Sequence, residues 1–153
     1  MSTTTYREMQ DFFMNHLRLM HYPIAIRYIF DQDELDRFRK DVPQYVPGKP
    51  LTFCQAEIGA RMEGMTVLVE KEKLGCANAK FVFGWKGLDE AEIKSHSKYT
   101  RDLEQAETFV KSKPRLPEGK LLAAVVSPLA EAFAPPHVVH FYCDNMQAYH
   151  LAV

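Results

Sequence analysis

The sequence predicts one α/β domain over residues 1–153, with a mixed, partly parallel sheet flanked by helices; an α+β arrangement also fits. Four apolar runs of strand length support this fold, at residues 24–30, 66–70, 121–126 and 137–142. Helical patterns separate these runs. Between the last two runs, Ser127 and Pro128 open a segment typical of a short helix. That order of elements predicts a crossover between parallel strands.

Helical patterns fill most of the chain between the predicted strands. An amphipathic helix is expected over residues 5–20 and a short surface helix over residues 31–40. Residues 41–50 are rich in proline and predict a loop. The polar segment 88–113 fits one or two surface helices that prolines end.

The C-terminal segment predicts a last helix that Asn145 caps. The chain stops while this helix is still apolar, without a glycine, a proline or a basic last turn. We therefore expect the apolar end to dock within an assembly, or the chain to be a fragment of a longer protein.

Composition and charge exclude several classes of protein. The chain has 153 residues and 46% apolar content, which is enough for one hydrophobic core. A formal net charge of −1 provides no field that would attract nucleic acid or an anionic membrane surface. No stretch resembles a signal peptide or approaches the roughly 20 apolar residues that span a bilayer. Three cysteines, an odd number, argue for reduced thiols in a cytoplasmic protein.

Two cysteines, Cys54 and Cys76, each lie where a helix is predicted to begin. Thr52 and Gln55 form a capping-box pattern, which places Cys54 in the first turn of a helix. Cys76 follows Gly75 and opens a second helical segment after a short strand. The free N–H groups and the positive end of a helix dipole favour a thiolate, the form that binds metals and attacks electrophiles.

Four interpretations of these cysteines are open. Ligation of a metal ion or an iron–sulfur cluster needs three or four ligands, for which Cys54, Cys76 and Cys143 are the candidates. Gln55 and Asn78 join the first two as candidate cofactor-binding residues. The other three interpretations are a reversible disulfide between the helix starts, nucleophilic catalysis by one cysteine, and burial of small apolar side chains.

Neither the histidines nor the carboxylates supply an obvious catalytic base. His137 and His140 are expected on opposite faces of a strand, and His96 lies in a polar segment where exposure to solvent is expected. Glu57 and Glu63 are poorly aligned on one predicted helix and are expected to be exposed charges. The sequence has no nucleotide-binding or phosphate-binding glycine motif and no nucleophile elbow.

Several short motifs follow one another in an order that resembles one family. These motifs are YPIAIRYIF, KPLTFCQA, GCANAKFVFG, VVSPL and PHVVHFYCDNMQAYHL. Their order is similar to that in the family domain of unknown function 169. The positions that match its motifs are Cys54 and Gln55, Cys76 and Ala79, and Gln147 with Ala148. The resemblance covers nearly the whole chain and implies a fold class and a candidate cysteine site, but no reaction.

The resemblance also implies a longer domain, because members of that family usually carry a further α/β portion with another cysteine. We therefore expect a second copy, a partner chain or Cys143 to complete the site. The leading expectation is a thiol-based metal-binding, iron–sulfur or redox protein with its site at Cys54 and Cys76. The alternative is a non-enzymatic module that binds a small molecule or a protein and has structural cysteines.

Overall fold

The computed structural model describes residues 5–45 and 48–152 and has an α+β fold. Four strands form one sheet: β1 (Ile24–Ile29), β2 (Val67–Glu70), β3 (Ala123–Pro128) and β4 (Val138–His140). Their order across the sheet is β2, β3, β1, β4, and each neighbouring pair is antiparallel. Residues 46–47 of the predicted loop and the last residue of the predicted C-terminal helix lie outside the described part.

The predicted parallel pairing in the sheet is wrong. Strands β3 and β4 do run in the same direction, but β1 lies between them and is antiparallel to both. Ser127 and Pro128 extend β3 instead of opening a helix, and only a 3-10 turn, Leu129–Glu131, follows. The sequence pattern therefore predicts correctly that β4 runs in the same direction as β3. It does not reveal that β1 lies between these two strands.

Both faces of the sheet are covered, as the nearly continuous apolar run of β1 predicts. One face packs against α3 (Phe53–Glu63) in a cluster that includes Ile24, Ile26, Ala56, Ala60, Val67, Val69, Ala124 and Val126. The other face packs against α2 (Gln32–Asp41) in a cluster that includes Ile29, Leu35, Phe38, Leu68, Ala123 and Val125. Successive residues of β3 alternate between the two clusters because strand side chains alternate in direction.

The first helix, α1 (Tyr6–Leu17), begins and ends at identifiable residues. A capping box of Thr5 and Glu8 closes its N-terminus. The helix ends earlier than predicted because Arg18 adopts a left-handed conformation with φ of 52°.

The remaining helices are α4 (Ala77–Val82), α5 (Glu90–His96), α6 (Leu103–Ser112) and α7 (Asn145–Ala152). Asp144, rather than Asn145, supplies the cap of α7: its Oδ1 accepts from the Gln147 N–H at 2.8 Å, and its own N–H donates to Gln147 Oε1 at 2.8 Å. No helix within the described ranges combines the length and the apolar character needed to cross a membrane.

Candidate thiol site

The start of α3 has the predicted capping box. Thr52 Oγ1 accepts a hydrogen bond from the Gln55 N–H at 3.2 Å, and Gln55 Oε1 accepts from the Thr52 N–H at 2.8 Å. The Gln55 side chain is thus engaged by the cap. Cys54 lies between them in the first helical turn, where its thiol is free and exposed.

Cys76 is the N-terminal cap of α4, so this helix also begins where it is predicted. Its Sγ accepts a hydrogen bond from the Ala79 N–H at 3.5 Å. The side chain is half-buried and packs against the cluster beneath α3. Asn78 lies on the same short helix and accepts a hydrogen bond from Lys113 Nζ at 2.6 Å. The cap bond and the core packing of Cys76 are contacts that stabilise the fold.

A backbone bridge joins the segments that lead into the two helix starts. The Leu51 N–H donates to the Lys73 carbonyl at 3.0 Å, and the Gly75 N–H donates to the Leu51 carbonyl at 2.8 Å. The third cysteine, Cys143, is half-buried between β4 and α7. Residues 5–45 and 48–152 contain no group of three or more histidine, cysteine or acidic side chains that could hold a metal ion. Within these ranges the three cysteines therefore do not form a three-ligand group.

Glu57 is the centre of a hydrogen-bonded network between α3 and the end of the sheet. Its Oε1 lies 2.8 Å from His140 Nδ1, and its Oε2 accepts from the Tyr142 hydroxyl at 3.0 Å. The glutamate is only 8% exposed, so the prediction of an exposed charge is wrong. It is buried because the segment that ends β4 covers this face of the helix and supplies two donors.

Arg61 extends this network along α3. Its guanidinium stacks 4.2 Å from the centroid of the Tyr142 ring. Its Nε is buried and finds no hydrogen-bond partner among the described residues. Cys54, Glu57 and Arg61 are spaced by three and four positions, which places them on one face of the helix.

The pKa values of two tyrosines near this network are raised by burial and by the charge of Glu57. Burial raises the pKa of Tyr142, and the hydrogen bond and negative charge of Glu57 raise it further. The Arg61 guanidinium acts in the opposite direction and lowers the Tyr142 pKa, while a thiolate at Cys54 would raise it further. Burial is the main cause of the raised pKa of Tyr28, and Glu57 is the second.

Four residues of this site, Glu57, Arg61, His140 and Tyr142, are absent from the sequence-based set of candidates. Part of the signal is present in the sequence, since the spacing of Cys54, Glu57 and Arg61 puts them on one helical face. His140 and Tyr142 are likewise two positions apart, a spacing typical of one face of an extended segment. The sequence does not reveal that this segment lies against α3.

The comparison with family models matches residues 13–153 to domain of unknown function 169, described as an uncharacterised ArCR family. Neither the comparison with curated proteins nor that with solved structures finds a match. The family match covers most of the chain and confirms the resemblance that the cysteine motifs and their order indicate. The chain belongs to the family domain of unknown function 169.

Proposed function

We propose that this chain is a thiol-based redox protein in which Cys54 is the reacting residue. The observation that carries the proposal is the position of Cys54: a free, exposed thiol in the first turn of an eleven-residue helix, on the same face as Glu57 and Arg61. Helix N-termini stabilise thiolates, and exposure gives a substrate access to the sulfur.

The proposed reaction is exchange with a small disulfide. The Cys54 thiolate attacks one sulfur of the substrate, the bond between the two substrate sulfurs breaks, and a mixed disulfide with Cys54 forms. The leaving thiolate takes up the proton that the Cys54 thiol released. A second thiol reverses the step and regenerates free Cys54, so atoms and electrons balance over the cycle.

Arg61 favours a substrate that carries a carboxylate. Its guanidinium is held over the Tyr142 ring, and Glu57 already accepts two hydrogen bonds, from His140 and Tyr142. A fixed guanidinium on the same helical face as a thiol, about two turns away, attracts an anionic group of the substrate by charge and by paired hydrogen bonds. The proposed substrate class is therefore an anionic disulfide.

The test uses two disulfides that differ in charge. Oxidised glutathione carries carboxylates, whereas hydroxyethyl disulfide is neutral. Intact-protein mass spectrometry with peptide mapping follows the rate of mixed-disulfide formation at each cysteine. We expect Cys54 to react first with both probes, and faster with the anionic probe than with the neutral one. Reaction at Cys76 before Cys54 would contradict the proposal.

Arg61→Met tests the role of the guanidinium. We expect this substitution to slow the reaction with oxidised glutathione by about tenfold and to leave the reaction with the neutral disulfide within about twofold. Arg115→Met is the matched control, since the Arg115 guanidinium stacks on the Phe81 ring at 4.5 Å. An equal loss of rate for both probes in Arg61→Met would remove Arg61 from substrate binding.

A second candidate function is metal binding by Cys54 and His140. The bond between Glu57 and His140 Nδ1 favours it, because metal-bound histidines usually donate their other ring N–H to a carboxylate. Nε2 then presents its lone pair. Further ligands would come from a second copy or a partner chain, and an iron–sulfur cluster would require more thiolates from the same source.

Cobalt(II) tests this second candidate, because thiolate ligation gives it intense absorption bands in the near ultraviolet. Bands that disappear in both Cys54→Ala and His140→Ala, and persist in Cys76→Ala, would support it. Bands that depend on Cys76 would instead support the sequence-based pairing of Cys54 with Cys76. Free thiols at all three cysteines suit a reducing compartment, so we also propose a cytoplasmic location.

A further inference from the structure

Lys113 forms a hydrogen-bonded chain of side chains away from the thiol site. Its Nζ lies at the end of α6, 2.7 Å from His96 Nε2 and 2.6 Å from Asn78 Oδ1. His96 Nδ1 lies 2.8 Å from the Glu92 carbonyl oxygen, one turn earlier on α5. Because that carbonyl can only accept, Nδ1 carries the proton and Nε2 presents a lone pair to the lysine. The side chain of His96 is 17% exposed, so its predicted exposure to solvent is wrong.

The Glu92 carboxylate lies behind this histidine. The residue is 3% exposed, and its Oε1 is buried with no hydrogen-bond partner among the described residues. Oε1 lies 3.7 Å from His96 Nδ1, while Oε2 lies 3.7 Å from Lys86 Nζ. The carboxylate therefore faces the Nδ1 side of the imidazole ring, opposite the nitrogen that contacts Lys113.

The surroundings of Lys113 differ from those of two other lysines. Lys111 pairs with Glu107 at 2.6 Å, and Lys86 pairs with Asp89 at 2.8 Å. A carboxylate partner stabilises the ammonium form. Lys113 instead contacts an imidazole nitrogen and an amide oxygen, and it lies 5.3 Å from the centroid of the Phe109 ring. None of these contacts is a carboxylate, and the imidazole nitrogen can accept a proton. A nucleophile bonded to a base that a third group orients is the arrangement of an activated nucleophile.

We propose that Lys113, His96 and Glu92 form an amine site that takes up aldehydes or ketones as an imine. The Lys113 ammonium gives one proton to His96 Nε2, and the neutral amine forms a C–N bond with the carbonyl carbon. The carbonyl oxygen leaves as water with two of the three ammonium protons, one of them returned by His96. The imine nitrogen keeps the third proton and the positive charge. This amine site does not include Cys54, Glu57 or Arg61.

Reductive trapping tests the proposal on the full chain. The protein is incubated at neutral pH with glyceraldehyde and cyanoborohydride, which fixes each imine as a stable secondary amine, and peptide mapping gives the rate at each lysine. We expect Lys113 to be modified at least about tenfold faster than Lys111, its neighbour on α6. A Lys113 rate equal to or below that of Lys111 would overturn the proposal. This comparison needs no variant.

Two substitutions test whether the base carries the effect. His96→Gln keeps a polar side chain but cannot take the proton at neutral pH, and Glu92→Gln removes the charge at nearly constant volume. In variants whose circular dichroism matches the parent, we expect the Lys113 rate in His96→Gln to fall to within about twofold of the Lys111 rate, and Glu92→Gln to give a smaller loss. A folded His96→Gln variant in which Lys113 keeps its advantage would also overturn the proposal.

Discussion

Cys54 and Cys76 occupy similar places in the chain and very different surroundings. Each lies at a helix start, and a backbone bridge between Leu51 and Leu74 ties the two preceding segments together. Cys54 is exposed on a helical face with Glu57 and Arg61, whereas Cys76 is half-buried, caps its own helix and packs on the core. A helix start therefore does not by itself make a thiol accessible; exposure to solvent and charged neighbours distinguish Cys54 from Cys76.

The largest expected effect comes from Glu57, which organises the polar side of the Cys54 region. Glu57→Ala removes the charged acceptor that His140 and Tyr142 share. Because two hydrogen bonds to a charged group are lost, we expect a loss of about 2 kcal/mol in the free energy of unfolding. Urea denaturation measures it. Glu63→Ala, an exposed site on the same helix, should change stability by less than about 0.5 kcal/mol. Equal effects would show that Glu57 has no special structural role.

A smaller effect on the free energy of unfolding is expected when either cysteine is replaced, and it should differ between Cys76 and Cys54. Cys76→Ala removes the side-chain cap of α4 and part of its packing, so we expect a loss of about 1 kcal/mol. Cys54→Ala removes only an exposed thiol and should stay within about 0.5 kcal/mol of the parent. The same denaturation experiment measures both. A larger loss for Cys54→Ala than for Cys76→Ala would reverse the assigned roles.

The smallest effect concerns the ionisation of Tyr142. Burial and then Glu57 raise its pKa, so the neutral phenol is favoured in the folded state. This contribution to stability is fully present below the unfolded pKa of about 10, and it is lost as the pH rises through the folded value. Ultraviolet absorbance of tyrosinate should therefore show late-titrating tyrosines, of which Tyr142→Phe removes one and leaves Tyr28, whose pKa is also raised.

Glu57→Gln gives the matched test of the cause, since it keeps an acceptor and removes the charge. We expect the late titration to move toward lower pH in this variant, because the negative charge no longer opposes ionisation of the phenol. A titration curve that does not change would assign the whole shift to burial.

Local features of the fold are predictable from the sequence because short-range chemistry decides them. The Thr52–Gln55 capping box and the helix start at Cys76 need only a few consecutive residues. The apolar pattern of β1 is likewise enough to predict a strand covered on both faces. The capping box and the helix start are set by these neighbouring residues and do not depend on how the rest of the chain packs.

Long-range pairing explains what the sequence does not predict. Glu57 and His140 are 83 positions apart, so the burial of Glu57 depends on where β4 lies against α3. The strand order of the sheet also depends on long-range pairing, because β1 lies between β3 and β4, which both follow it in the chain. His96 is another case, because Lys113 reaches it from a different helix.

Alkylation of the native protein tests the central claim, that Cys54 rather than Cys76 is the accessible and reactive thiol. The chain is treated with iodoacetamide for increasing times, quenched, digested and analysed by mass spectrometry, which gives a rate for each cysteine in one sample. We predict that Cys54 reacts about tenfold faster than Cys76, because its thiol is exposed at a helix N-terminus while the thiol of Cys76 is half-buried against the core. Equal rates, or a faster reaction at Cys76, would contradict the claim.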